Sequence, residues 1–236
     1  GERHGWPVVL KAARGGYDGR GVWIGADPEQ ATRLASRLLE QGIELLIEEH
    51  VAIEREVAIL IARRPGGEAA VYPLVETVQV DGMCREILAP ADVPAELAAE
   101  AHAIAQRVAE ISGVVGILAV ELFVAGGRIL INEIATRPHN SGHYSIEGCH
   151  TSQFEQHLRA ILDWPLGPTA LTAPAVVTVN VVGGPDGSDP VARVRDALAV
   201  EGAHVHLYGK GARPGRKLGH ATVCGDDLAH VRARAN

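Results

Sequence analysis

Glu121 and Glu133 are the residues of this chain best placed to do chemistry. Glu121 lies inside the apolar run 114–124, and residues 128–131 lead straight into Asn132-Glu133. Both runs are too branched and apolar for anything but buried strands. A carboxylate there is costly to bury unless a cation or hydrogen-bond donors meet it. Arg137, His139, Asn140 and His143 follow within ten residues of Glu133, so the strand delivers a floor for a polar ligand. The geometry of the pair depends on the turn that joins the strands. A two-residue turn at Gly126-Gly127 sets Glu121 opposite Asn132, whereas a three-residue turn over residues 126–128 sets it opposite Glu133. The odd-length turn is the expectation here, with the acids about 5 Å apart on one face. Two carboxylates so close call for a hard, oxygen-preferring cation such as magnesium. Asn132 joins that ion only if the strand bends at its end. The alternative is two acids paired separately with arginines.

Two basic groups complete the inventory. Lys11 precedes a loop with four glycines in seven positions, Gly15, Gly16, Gly19 and Gly21, around Tyr17, Asp18 and Arg20. Glycine lets main-chain N–H groups approach a ligand closely. The loop matches neither G-x-x-x-x-G-K-[ST] nor G-x-G-x-x-G, and reads as a mobile phosphate lid or as a plain hairpin. The second group is Lys210, Arg213, Arg216 and Lys217 around Pro214-Gly215. These cations repel one another without an anion, so they read as a phosphate anchor, or else as a solvated hairpin end. Glu48, Glu49, His50 and Val51 end a strand that either reads a flat ring with its backbone or is simply solvated. Cations for phosphates and carboxylates for magnesium outline an ATP site. His139, His143, Cys149 and His150 have no standard zinc spacing. Trp6, Trp23 and Trp164 read as packing residues, and Tyr17 as a substrate cover or a turn-surface tyrosine. Glu147 has no assigned role.

The elements that must position these groups follow from periodicity. Strand 7–11, the glycine loop, strand 22–24, a helix from Asp27-Pro28 to about Gln41 and strand 44–51 make a small α/β lobe. Strands at 57–62, 69–79 and 83–88 form an antiparallel meander. Residues 94–111 form the clearest helix, with Leu97, Ala101, Ile104, Ala105, Val108 and Ile111 on one face. The acid-bearing strands come next, then a helix over 151–162 and a Pro-Gly-Pro linker. A smaller unit follows, with strands at 175–182, 204–208 and 218–224 and a helix over 189–198. The division expected is residues 1–51 as a small lobe with the lid, 52–168 as a large lobe with the metal pair, and 169–236 as a C-terminal unit.

Composition sets the limits. The 236 residues are 47% hydrophobic, 22% charged and only 4% aromatic, so Val, Ile, Leu and Ala must build the core. A net charge of −7 argues against nucleic-acid binding. No apolar run approaches the roughly 18 residues of a membrane span, and no signal peptide is apparent. Three scattered cysteines suggest a reducing compartment. A soluble cytoplasmic protein is expected, and its abrupt start reads as a cut through a longer chain.

On these residues the chain resembles the ATP-grasp enzymes, and among them the 5-(carboxyamino)imidazole ribonucleotide synthase family of purine biosynthesis. Three motifs are shared broadly with ATP-grasp ligases: Lys11 with the loop 16–21, residues 47–51 followed by Glu56, and Asn132-Glu133. Two are narrower, R-P-H-N-S-G-H at 137–143 and R-P-G-R-K-L-G-H at 213–220. The resemblance implies an ATP-grasp fold of two lobes plus a small C-terminal α/β domain, with ATP and magnesium as cofactors. Lys11, Gly16, Tyr17, Asp18, Gly19, Arg20 and Gly21 would hold ATP phosphates. Glu48, Glu49, His50 and Val51 would form the adenine hinge, Glu56 would take the ribose hydroxyls, and Gln79 and Asn132 would lie near the nucleotide. Glu121 and Glu133 would bind magnesium. Arg137, His139 and Asn140 would handle bicarbonate, with Asn140 and Tyr17 also at the acceptor. Lys210, Arg213, Arg216 and Lys217 would hold the phosphate of aminoimidazole ribonucleotide. The resemblance also implies a homodimer in the full-length form, and a preceding domain of about a hundred residues. One departure is Gln79, which stands where many relatives have histidine and cannot carry charge.

Overall fold

A computed structural model describes residues 5–15 and 19–236 of the chain. It divides into two compact units, one of residues 1–53 with 79–84, the other of residues 54–78 with 85–236.

In the first unit, β1 (Val8–Ala12) lies between β2 (Val22–Gly25) and β3 (Leu45–Glu49), both antiparallel to it. Helix α1 (Pro28–Glu40) begins where the sequence says it should: Asp27 Oδ1 accepts the Gln30 N–H at 2.8 Å, with Pro28 at the first helical position. Val8, Leu10 and Ala31 form the core, covered by Trp23, Leu34, Ala35 and Leu45. Leu38 joins the buried side of the helix, but Leu39, expected on the same stripe, is 59% exposed.

The second unit is built on a nine-stranded antiparallel sheet. Its strands are β4 (Arg55–Arg63), β5 (Ala69–Val71), β6 (Val75–Val80), β7 (Met83–Ala89), β8 (Gly116–Ala125), β9 (Arg128–Ala135), β10 (Ala175–Val182), β11 (Ala203–Leu207) and β12 (Lys217–Gly225). Their order is β11-β12-β10-β7-β6-β4-β8-β9, with β5 beside β4. The single strand expected over 69–79 is thus two, parted at Tyr72-Pro73-Leu74, where proline has no N–H for the ladder. Central β4 and β8 are buried almost throughout, as two-sided burial requires of an apolar run. Helix α2 (Ala95–Ser112) covers one face through Ala101, Ala105 and Ala109, with Leu97, Ile104 and Val108 half-buried beside them. Ile111, expected on that face, is 71% exposed.

Two short helices, α3 (Ser145–Gly148) and α4 (Gln153–Ile161), follow β9. Fully buried Tyr72 and Tyr144 pin this region: the Tyr72 hydroxyl donates to Thr151 O at 2.9 Å, and that of Tyr144 to Pro73 O at 3.3 Å. The helix expected over 189–198 is a 3-10 turn, Pro190–Arg193, running into α5 (Val194–Leu198). A final helix, α6 (Leu228–Ala235), had no counterpart in the sequence reading; it packs on β10 and β12 through buried Val231. No helix among the described residues is long and apolar enough to cross a membrane.

Candidate active site

The acid pair is the best-defined feature of the second unit. Glu121 and Glu133 are cross-strand partners in the β8–β9 ladder and share a side-chain hydrogen bond. The turn that brings them together differs from the expected one. It has two residues, Ala125 pairing with Arg128 around Gly126 and Gly127, whose φ values of +56° and +69° suit a tight hairpin. The extra residue comes instead from a bulge. Leu122 pairs with Ile131 and Glu121 with Glu133, so Asn132 is additional on β9. Bending there brings Glu133 to Glu121 and puts Asn132 beside them. Burial first, then the hydrogen bond and charge of Glu133 and the charge of Glu56, push the Glu121 carboxyl up to about 8, against a pull from Lys217. Glu121 is largely buried whereas Glu133, on the edge strand β9, is exposed, and an acid pair that holds a proton between its members suits a divalent cation. Among the described residues no group of three or more His, Cys, Asp or Glu is arranged to hold a metal ion. Glu121, Glu133 and the Asn132 amide are the oxygen donors here that could supply part of the shell of a hard divalent cation.

Next to the pair, the segment 137–143 is shaped by one buried amide. Gln153, fully buried at the start of α4, accepts the His139 N–H on Oε1 at 2.9 Å and donates from Nε2 to His139 O at 2.8 Å. Gly142 makes this approach possible, since a Cβ there would lie 2.3 Å from the Leu60 side chain and 2.5 Å from Gln153 Oε1. The Ser141 N–H and hydroxyl reach His139 Nδ1 at 3.3 and 2.9 Å, and His139 Nε2 lies 3.8 Å from Glu121 Oε1. Arg137 donates to Pro138 O at 3.1 Å, and Asn140 opens the 3-10 turn Asn140–Gly142.

A column of rings runs from this loop into the C-terminal strands. Phe154 stacks on His143 with centroids 5.7 Å apart, His143 on His220 at 4.9 Å, and His220 on His206 at 4.8 Å. His206 and His220 are ladder partners on β11 and β12. The far end is closed by Glu147 Oε1, 2.6 Å from His206 Nε2. Burial, then neighbouring imidazole charge, lowers His220 to about 3; burial, His139 and the two lysines lower His143 to about 4. The Tyr208 hydroxyl meets His220 Nδ1 at 2.7 Å, and Lys210 Nζ sits 5.0 Å above the Tyr208 ring. The basic turn is held by its own backbone: Arg216 N–H donates to Arg213 O and its guanidinium to Gly211 O, each at 3.0 Å. Lys217 begins β12 and acts electrostatically on both Glu121 and His143. Lys210, Lys217, His139, His143 and the acid pair therefore belong to one electrostatic neighbourhood.

In the first unit, Lys11 pairs with Glu48 on the neighbouring strand at 2.6 Å. Glu49 ends β3, with His50 and Val51 just beyond it. Gly19, Arg20 and Gly21 lead into β2, and the Ala12 N–H donates to Gly21 O at 2.7 Å. Gln79 lies on β6 in the hairpin tip that clusters with this unit. Gly16, Tyr17 and Asp18, the centre of the expected lid, lie outside the described residues. Glu56 is in the second unit, on β4, two positions from the Glu121 partner Ala58.

Sequence reasoning missed Gln153, His206 and His220 as site residues and left Glu147 without a role. A histidine on each strand flanking the basic turn was the available signal for the ring column. Gln153 had none, because a glutamine after a helix cap usually faces water.

Comparison with known proteins agrees with this fold. Residues 1–154 match the ATP-grasp domain, and residues 176–234 match the phosphoribosylaminoimidazole carboxylase C-terminal domain. The chain is 48% identical over 234 residues to N5-carboxyaminoimidazole ribonucleotide synthase of Mycobacterium tuberculosis, covering 97% of itself and 54% of that protein. It is similar in structure to an ADP complex of an N5-carboxyaminoimidazole ribonucleotide synthetase, at TM-score 0.88 and 38% identity over 99% of this chain and 61% of that one. An Aspergillus clavatus N5-carboxyaminoimidazole synthase in complex with ADP and 5-aminoimidazole ribonucleotide matches at TM-score 0.86 and 33% identity, with the same coverage of 99% and 61%. The chain thus spans about half the length of the curated relatives it matches.

Proposed function

We propose that this chain, which belongs to the ATP-grasp family, is the nucleotide- and acceptor-binding part of an ATP-dependent carbon–nitrogen ligase. The reaction is carboxylation of 5-aminoimidazole ribonucleotide with bicarbonate, in purine biosynthesis. The observation that carries this reading is the cross-strand Glu121–Glu133 pair, a largely buried acid facing an exposed one, with His139 and Lys217 alongside, in a chain so similar to N5-carboxyaminoimidazole ribonucleotide synthases.

Residue roles follow from chemistry and from that likeness. Lys11 and the loop 16–21 bind ATP phosphates; residues 48–51 line the adenine, Glu56 takes the ribose, and Gln79 hydrogen-bonds nearby. Glu121 and Glu133 hold magnesium with help from Asn132. Magnesium, when bound, neutralises charge on the phosphates. Arg137, His139 and Asn140 orient bicarbonate so that its oxygen attacks the γ-phosphorus and ADP leaves. The resulting carboxyphosphate splits into inorganic phosphate and carbon dioxide next to the acceptor amine, which adds to the carbon and loses a proton to the phosphate. Lys210, Arg213, Arg216 and Lys217 hold the ribonucleotide phosphate, where forked guanidinium groups suit the anion, with Tyr17 and Asn140 completing the acceptor side. No covalent enzyme intermediate is needed; positioning and charge neutralisation supply the catalysis.

We further divide the chain at 1–51, 52–168 and 169–236 into lid lobe, metal-binding lobe and acceptor-phosphate unit. We read the full-length form as a cytoplasmic homodimer; the three free cysteines support a reducing compartment. Because the chain spans about half the length of its relatives, nucleotide binding without turnover is the second reading. ADP release separates the two. Release that depends on bicarbonate and aminoimidazole ribonucleotide supports the ligase; stabilisation by ATP without release supports the second reading. Release with another amine or acid, and none with aminoimidazole ribonucleotide, would remove the proposed acceptor.

A further inference from the structure

The hydrogen bonds of Gln153 determine more than loop shape. Its amide orientation is fixed by two backbone groups, since Oε1 accepts from an N–H and Nε2 donates to a C=O, both of His139. The same Nε2 lies 3.0 Å from His143 Nδ1. An amide nitrogen only donates, so Nδ1 must be the bare, accepting nitrogen of the ring. The proton of the neutral imidazole therefore sits on Nε2, which ring geometry directs away from Gln153. The ring cannot tilt freely, because Phe154 and His220 stack on its two faces at interplanar angles of 17° and 19°, and Tyr208 meets its edge. Lys217 and Lys210 both act on this imidazole electrostatically, as does His139.

We propose that His143 contacts substrate as a neutral hydrogen-bond donor, its Nε2–H meeting an anionic oxygen held by Lys210 and Lys217, and that Gln153 is the positioning residue that fixes this tautomer. This deepens the acceptor side of the reaction proposed above and rests on that reading. A donor that stays neutral adds direction to the two lysines without adding a third charge to a crowded cationic patch. It also excludes His143 from proton transfer at neutral pH, because the ring has no bare nitrogen facing the ligand. The oxygen belongs to a phosphate ester or to the carbonate-derived group, and the test distinguishes them.

The 15N-labelled chain is observed by multiple-bond proton–nitrogen correlation of its imidazoles, with His143 identified by its loss in His143→Gln. The expected result is a proton on Nε2 in the wild type. In Gln153→Glu, where a carboxylate replaces the donating amide, the proton should move to Nδ1. Gln153→Met removes the donor at similar volume and keeps the comparison available if the buried carboxylate prevents folding; it should leave a mixture of tautomers. A wild-type ring protonated on Nδ1 overturns the proposal without any variant, and an unchanged tautomer in a folded Gln153 variant overturns the positioning role. Inorganic phosphate and bicarbonate are then titrated separately. His143→Phe keeps the stack and loses the donor, and should weaken one of them by about tenfold or more. Loss for phosphate assigns the ester oxygen, and loss for bicarbonate the carbonate side; unchanged affinity for both overturns the contact. Stabilisation by magnesium-ATP, followed in the same samples, reports on the ligase reading separately. A failure there with the Nε2 tautomer intact would sink the ligase and not the His143 assignment.

Discussion

Replacing Glu121 by glutamine should make the metal-free protein gain stability relative to the wild type as pH rises. Burial and the facing Glu133 keep the Glu121 carboxyl protonated up to about 8, whereas the unfolded chain releases that proton near 4.5. Between these values the folded state binds more protons than the unfolded one. Its raised pKa therefore contributes stability that is complete below pH 4.5 and is lost as pH climbs through 8. At about 1.4 kcal/mol per tenfold, the upper bound on that loss is about 5 kcal/mol. Glutamine keeps the shape and carries no proton to lose. Urea unfolding in a chelator, followed by fluorescence from pH 5 to 8, should show the variant overtaking the wild type by about 2 kcal/mol or more. Titrating groups that do not act on Glu121 are common to both proteins and cancel in the difference. Magnesium with ADP should reverse the order, because only the wild type then has two carboxylates for the ion. Parallel stability curves for the two proteins would refute the argument that this pair is held together against its own charge.

Three further outcomes are expected. Glu133→Ala should abolish thermal stabilisation by magnesium-ATP while leaving the circular dichroism spectrum unchanged; stabilisation equal to the wild type would count against the metal role. Arg216→Ala should weaken ribonucleotide binding with ATP binding spared, read by calorimetry, and equal loss of both would show the anchor role to be wrong. Gly142→Ala should cost about 1–3 kcal/mol in urea unfolding, because the added methyl meets Leu60 and Gln153 in a packed interior.

Much of the architecture was legible because its signals are local. Asp27-Pro28 announces the start of α1, Gly126-Gly127 marks a hairpin, and the apolar runs around Ala58 and Glu121 read as buried strands. The pairing of Glu121 with Glu133 was also foreseen, but by the wrong route. Turn length is only one way to offset a ladder, and nothing in the residues 128–133 distinguishes a bulge from a straight strand. Gln153 and the ring column were not legible, because their partners lie 10 to 77 residues away in sequence. Pattern reading sees neighbours along the chain; a buried amide that bridges two loops leaves no period. The α6 helix has its cap, Asp227, yet its weak amphipathic pattern gave no reason to end the chain on a helix.

The bulge at Asn132 has a practical side. Since the offset between the two carboxylates is set at Asn132, five residues beyond Gly127, rather than at the hairpin tip, the tip carries no responsibility for their alignment. The Gly126-Gly127 junction is exposed, with open space where a side chain would go and one tie, the Gly126 N–H donating to Glu54 Oε1 at 2.8 Å, and is thus a natural place to graft a reporter peptide or to cut and rejoin the backbone. Such a rewired molecule should still bring its two carboxylates together.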